Sequence, residues 1–78
     1  MTPYERIVLG DRASSLMADP AYAAAVAKYE ADLFERWKSA TELAVREALW
    51  TECQALKGVT SRLSAIKTDG DVAKKSRT

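Results

Sequence analysis

The sequence predicts an all-α protein: a short N-terminal helix, an antiparallel helical hairpin and an irregular basic C-terminal tail. Three observations predict it. Fourteen of the 78 residues are Ala against three Gly and two Pro, with the other strong helix formers Leu, Glu, Lys and Arg also common. Apolar residues recur three and four positions apart, the period of one helix face. The strongest break in the pattern is Asp19-Pro20, because a residue before proline is pushed out of the α region.

The first helix is expected over residues 3–18. Thr2 is its N-cap, Pro3 suits the first helical position, and Glu5 completes a Thr-x-x-Glu capping box. Tyr4, Ile7, Val8 and the pair Leu16/Met17 give it an apolar side. Gly10 weakens it by about 1 kcal/mol relative to Ala. Asp19 then caps a second helix with Pro20 at its first position, running to about Lys38. Its stripe is Tyr22, Val26, Tyr29, Leu33 and Trp37. A third stripe, Val45, Leu49, Cys53, Leu56, Val59, Leu63 and Ile66, predicts a helix over residues 41–68, stopped by Gly70.

No Gly or Pro separates the second stripe from the third, so their phase must decide whether one helix or two is present. At ~100° per residue the centres of the two stripes differ by about 130°. One straight helix would present two apolar faces that a single neighbour could not cover. A break is therefore placed at residues 38–41, where Ser39 and Glu42 have capping-box spacing, with one continuous rod in a larger coiled assembly as the alternative. Residues 1–70 form one domain in this reading, and residues 71–78 form a flexible basic tail.

A chain of this size buries only about 60–65% of the surface its unfolded form exposes, which predicts marginal stability or self-association. Twelve Lys plus Arg against eleven Asp plus Glu leave a net charge of +1, too little for a broadly basic nucleic-acid binder. There is no His, which removes the usual general base and the commonest metal ligand. Cys53 is the single cysteine, so no internal disulfide forms, and its place in a stripe marks it as a small buried hydrophobe. The longest apolar run, residues 21–27, is far short of the ~20 residues that span a bilayer, and the N-terminus lacks the form of a signal peptide. Asp69-Gly70-Asp71 lacks the alternating ligands of a calcium loop, and no phosphate loop or nucleophile elbow occurs. The expectation is a non-enzyme without cofactor or metal.

Two aromatic residues fall outside the stripes. Phe34 projects about 100° from the centre of the second stripe, and Trp50 about 130° from that of the third, on the same side as Leu43. Arg46, four residues before Trp50, is placed to stack on it. Phe34, Leu43, Arg46 and Trp50 are therefore the expected partner-binding residues, an apolar anchor with a polar rim. Cover by the first helix is the competing explanation. In the tail, Lys74, Lys75 and Arg77 are candidate contacts to an acidic partner.

The order of features is also familiar as a whole. Tyr4-Glu5-Arg6-Ile7, Gly10-Asp11-Arg12-Ala13 and Leu16-Met17-Ala18-Asp19-Pro20-Ala21 lead into an aromatic-bearing helix closed by Trp37-Lys38. Arg46-Glu47-Ala48-Leu49-Trp50 opens the next, and Thr68-Asp69-Gly70 with Val72-Ala73 ends it. In this the chain resembles a group of small, mostly uncharacterised tailed-bacteriophage proteins encoded among the head and DNA-packaging genes. It departs from that group in its short link Ser39-Ala40-Thr41. The resemblance implies a virion component or assembly accessory, located in the virion or the host cytoplasm. Its partners would be phage structural proteins or further copies of itself, with nucleic acid touched only through the tail. A phage-encoded inhibitor of a host defence or regulatory protein is the alternative, and DNA binding a third class disfavoured by the near-neutral charge.

Overall fold

The computed structural model describes residues 1–76. Over them the chain is all-helical: α1 is Pro3–Ala18, α2 is Pro20–Ser39 and α3 is Leu43–Ser76, and no strand occurs among the described residues. Both early caps form. The Thr2 hydroxyl accepts from the Glu5 amide at 3.1 Å while the Glu5 carboxylate receives the Thr2 amide and hydroxyl, and Pro3 leads the helix. Asp19, in extended backbone, turns the chain between α1 and α2. Its carboxylate accepts from the amides of Ala21 and Tyr22, satisfying donors that the first turn of α2 cannot bond internally.

The link between α2 and α3 is made differently from the expected capping box. Ser39 is the last residue of α2, and its hydroxyl donates back to the Glu35 carbonyl instead of capping α3. Ala40 is the extended residue, and the first bond of α3 runs from the Arg46 amide to the Glu42 carbonyl.

α3 also runs past the expected stop. Gly70 has no positive φ, and the helix continues through it to Ser76, with Ala73 fully buried. The reading of residues 71–78 as an irregular tail is therefore corrected for residues 71–76. Gly70 serves packing here. It faces Gly10 of α1, and a β-carbon added to either would come within 3.0 Å of the other's backbone. Ala13 and Ala73, three residues after each glycine, are both buried. Gly10-Asp11-Arg12-Ala13 and Gly70-Asp71-Val72-Ala73 thus supply matching small surfaces that let two backbones touch.

Two ion pairs flank this crossing. The Arg6 guanidinium donates through Nε and an Nη to both carboxylate oxygens of Asp69, at 2.9 and 2.7 Å, and Lys74 Nζ donates to Asp11 at 2.6 Å. Further along, Ser64 Oγ lies 3.8 Å from Met17 Sδ. α2 then follows the N-terminal half of α3, where Tyr29 meets Glu52 and Trp37 meets Arg46. Gly10, Met17, Tyr29 and Trp37 thus meet Gly70, Ser64, Glu52 and Arg46 of α3 in turn. The result is elongated, 55 × 23 × 15 Å, with a radius of gyration of 16.6 Å, against roughly 11–12 Å for a compact chain of this length.

The core is thin. α3 packs more extensively on α1 than on α2, whose only buried residue is Leu33, at 0% exposure. Tyr22 and Val26 are half-buried, while Tyr29 and Trp37 stay exposed at its edge. On α3 the inward positions Leu49, Leu56, Leu63 and Gly70 repeat every seven residues, with Cys53, Thr60 and Lys67 four after the first three. That corrects the third stripe: Val45 and Ile66 are exposed and Val59 is 56% exposed, while Thr60 and Lys67 turn inward. A seven-residue repeat keeps one seam in place over many turns of a supercoiled pair. Choosing the more apolar neighbour at each step leads off that seam.

Candidate functional site

Because α1 covers only the C-terminal half of α3, the N-terminal half with α2 is a bare two-helix layer. On one side of it lies an open cleft of about 340 Å³ lined by Phe34, Trp37, Trp50, Cys53 and Leu56, with Glu30, Gln54 and Lys57 at its edges. Phe34 from α2 and Trp50 from α3 face into this one cleft and are 56% and 61% exposed. α1 does not cover Trp50. The aromatic rings are ordered by one another: Phe34 and Trp37 stack with centroids 6.5 Å apart and planes 16° apart. Lys38 Nζ lies 5.3 Å from the Phe34 centroid.

Arg46 does not stack on Trp50 as expected. Its guanidinium lies 4.0 Å from the Trp37 centroid, across the α2–α3 link. Leu43, the first residue of α3, is 71% exposed but is not part of the cleft lining. Of the four expected partner-binding residues, Phe34 and Trp50 therefore meet in the cleft, Arg46 braces its Trp37 wall, and Leu43 stands apart.

Trp37, Cys53 and Leu56 line the cleft although their spacing puts all three in core stripes, and Cys53 is half-buried at the cleft wall rather than a buried hydrophobe. Trp37 lies in the last turn of α2 and is 37% exposed. Tyr29 borders the same layer. Its hydroxyl donates to Glu52 at 2.9 Å, and that bond to a carboxylate raises the phenol's pKa above its ordinary value.

At the other end, the tail candidates are partly engaged within the chain. Lys74 pairs with Asp11, which raises the pKa of its ammonium, and Lys75 lies one residue on in the last turn of α3. Arg77 lies outside the described residues. Among the described residues no cluster of three or more metal-ligating side chains occurs, and no helix is long and apolar enough to cross a membrane.

Comparison with family models, curated proteins and solved structures finds no match for this chain. The candidate site therefore stands on its own geometry, an exposed aromatic cleft with charged edges.

Proposed function

We propose that this protein is a non-enzymatic component of a tailed-bacteriophage particle, or an accessory of its assembly, that binds structural proteins through a helix face. In this reading α2 and α3 form an antiparallel hairpin that presents the aromatic cleft, and Phe34 and Trp50 are its anchors. The observation that carries the binding role is the exposure of those two rings in one cleft with polar edges. Aromatic side chains flanked by polar groups are the usual centre of a protein interface. The phage setting rests on the likeness of Gly10–Ala13, Leu16–Ala21 and Arg46–Trp50 to small head-region proteins. A nucleic-acid contact at the C-terminal end would compete with the Asp11–Lys74 pair, which makes the cleft the better-supported surface.

Mass spectrometry of purified particles tests this reading. The protein should copurify with the structural proteins, or with assembly intermediates, and Trp50→Ala should reduce its incorporation while the variant stays helical. A protein abundant in infected cells but absent from particles and intermediates alike would overturn it.

A further inference from the structure

We infer that the occupant of the aromatic cleft is a second copy of this chain, the two copies pairing face to face about a two-fold axis that runs along the cleft. The inference rests on the binding role of this face and names its partner.

The accessible surface points the same way as the shape. The chain exposes 5868 Å², whereas a folded monomer of 8.6 kDa exposes about 4,700 Å² by the usual scaling with mass. The difference of roughly 1,200 Å² exceeds the about 800 Å² that each partner buries in a standard interface. A chain this open has surface to lose. The α2–α3 layer is where its interior is thinnest, with Leu33 and Leu49 the only buried residues there.

The layer also has the form of half a bundle. A two-fold along the cleft sets each α2 over the α3 of the other copy, so every neighbouring pair among the four helices is antiparallel. Phe34 of one copy then approaches Trp50 of the other, and the two apolar floors built on Cys53 and Leu56 close on each other.

Charge supports identity of the partner. Glu30 edges the cleft from α2 and Lys57 edges it from α3, and neither is in an ion pair among the described residues. Rotation about the cleft axis brings Glu30 of each copy toward Lys57 of the other, which makes the rim complementary to itself. The net charge of +1 leaves little long-range repulsion between copies.

Sedimentation of the full chain over a wide concentration range tests the inference. The wild type should show a reversible monomer–dimer equilibrium. Trp50→Ala and Phe34→Ala should each weaken it by at least ~30-fold, the loss expected of a hot-spot side chain. Circular dichroism of the dilute variants guards against unfolding as the cause. Glu30→Lys should weaken the dimer because it sets like charges together, and Glu30→Lys with Lys57→Glu should restore it. A wild type that stays monomeric to millimolar concentration overturns the second copy, yet leaves the cleft open to a different particle protein. A dimer indifferent to Trp50→Ala and Phe34→Ala, or a charge swap that fails to restore pairing, also overturns it.

Discussion

Gly10 and Gly70 hold α1 and α3 so close that a β-carbon on Gly10 would lie 2.8 Å from the Gly70 α-carbon, and one on Gly70 would lie 2.9 Å from the Gly10 α-carbon. Backbone cannot yield as a side-chain tip can, so either substitution by Ala must push the helices apart. Gly10→Ala and Gly70→Ala should each destabilise by about 1–3 kcal/mol, even though Ala favours a helix by about 1 kcal/mol over Gly. Gly58 is the internal control. A β-carbon there meets only an Arg62 guanidinium nitrogen at 3.0 Å, which can swing away. Gly58→Ala should therefore stabilise by about 0.5–1 kcal/mol. Urea unfolding of the three variants checks the contrast; stabilisation by all three would mean that α1 and α3 are not in backbone contact.

The contact between those glycines is long-range, and a local sequence pattern does not carry it. Thr2, Glu5, Asp19 and Pro20 were legible as caps because their chemistry is local and satisfied within four residues. Leu33 was legible as core because it sits central in its apolar stripe, whereas Leu49 shares its stripe with Val45, which lies nearer the stripe's centre and is exposed. Gly70 was misread as a helix stop, since a glycine's lack of a β-carbon serves a turn and a close approach equally well. Its meaning depends on Gly10, sixty residues away. The shared Gly-Asp-x-Ala spacing was the available signal. Val59 and Thr60 illustrate the second limit. Both fit a three-or-four spacing, and only the packing of the partner helices selects the polar one. At the site, Phe34 and Trp50 stood out because they missed the stripes, whereas Trp37 was hidden by fitting one.

The thin core makes a sharp forecast for single truncations. Among the described residues Leu33 is the one large side chain fully out of solvent, so Leu33→Ala should cost about 2–5 kcal/mol. Leu56 is half-buried at the cleft floor, and Leu56→Ala should cost clearly less in the monomer. Val59→Thr should lie within about 0.5 kcal/mol of wild type, because Val59 points outward. Thermal melts at low protein concentration would measure all three. A Val59 variant as damaging as the Leu33 variant would return the seam to its sequence-predicted course.

Acid should loosen α1 first. The Arg6 guanidinium, bonded to both Asp69 oxygens, lowers the Asp69 pKa below its ordinary value. A carboxyl depressed in the folded state adds stability above its unfolded pKa, and that stability is lost as pH falls through the folded value. The melting temperature should therefore drop below about pH 4, and Asp69→Asn should flatten part of that drop while lowering stability at neutral pH. Lys74 works in the opposite direction. Asp11 raises its pKa, so its contribution holds through neutral pH and fades as pH rises through the raised value. Lys74→Met should flatten only the alkaline limb. Melting curves of the two variants across the full pH range separate the effects, and identical profiles for both would place neither pair at the α1–α3 contact.

Arg46 offers a direct discrimination between the two tryptophans. The spacing along α3 puts it four residues before Trp50, yet its guanidinium lies over the Trp37 ring at 4.0 Å. An exposed cation–π contact of this kind contributes about 0.5–1 kcal/mol, and the cation also alters the emission of the indole beneath it. Each tryptophan can be read alone by replacing the other with Phe. Arg46→Ala in the Trp50→Phe background, where only Trp37 emits, should change both the fluorescence and the stability. In the Trp37→Phe background, where only Trp50 emits, the same substitution should leave the spectrum of the dilute monomer nearly unchanged. The reverse pattern would place Arg46 on Trp50 and make it part of the cleft. With the structure as described, Arg46 ties the start of α3 to the end of α2. It thereby fixes the Trp37 wall against which Phe34 stacks, leaving Trp50 free to meet whatever enters.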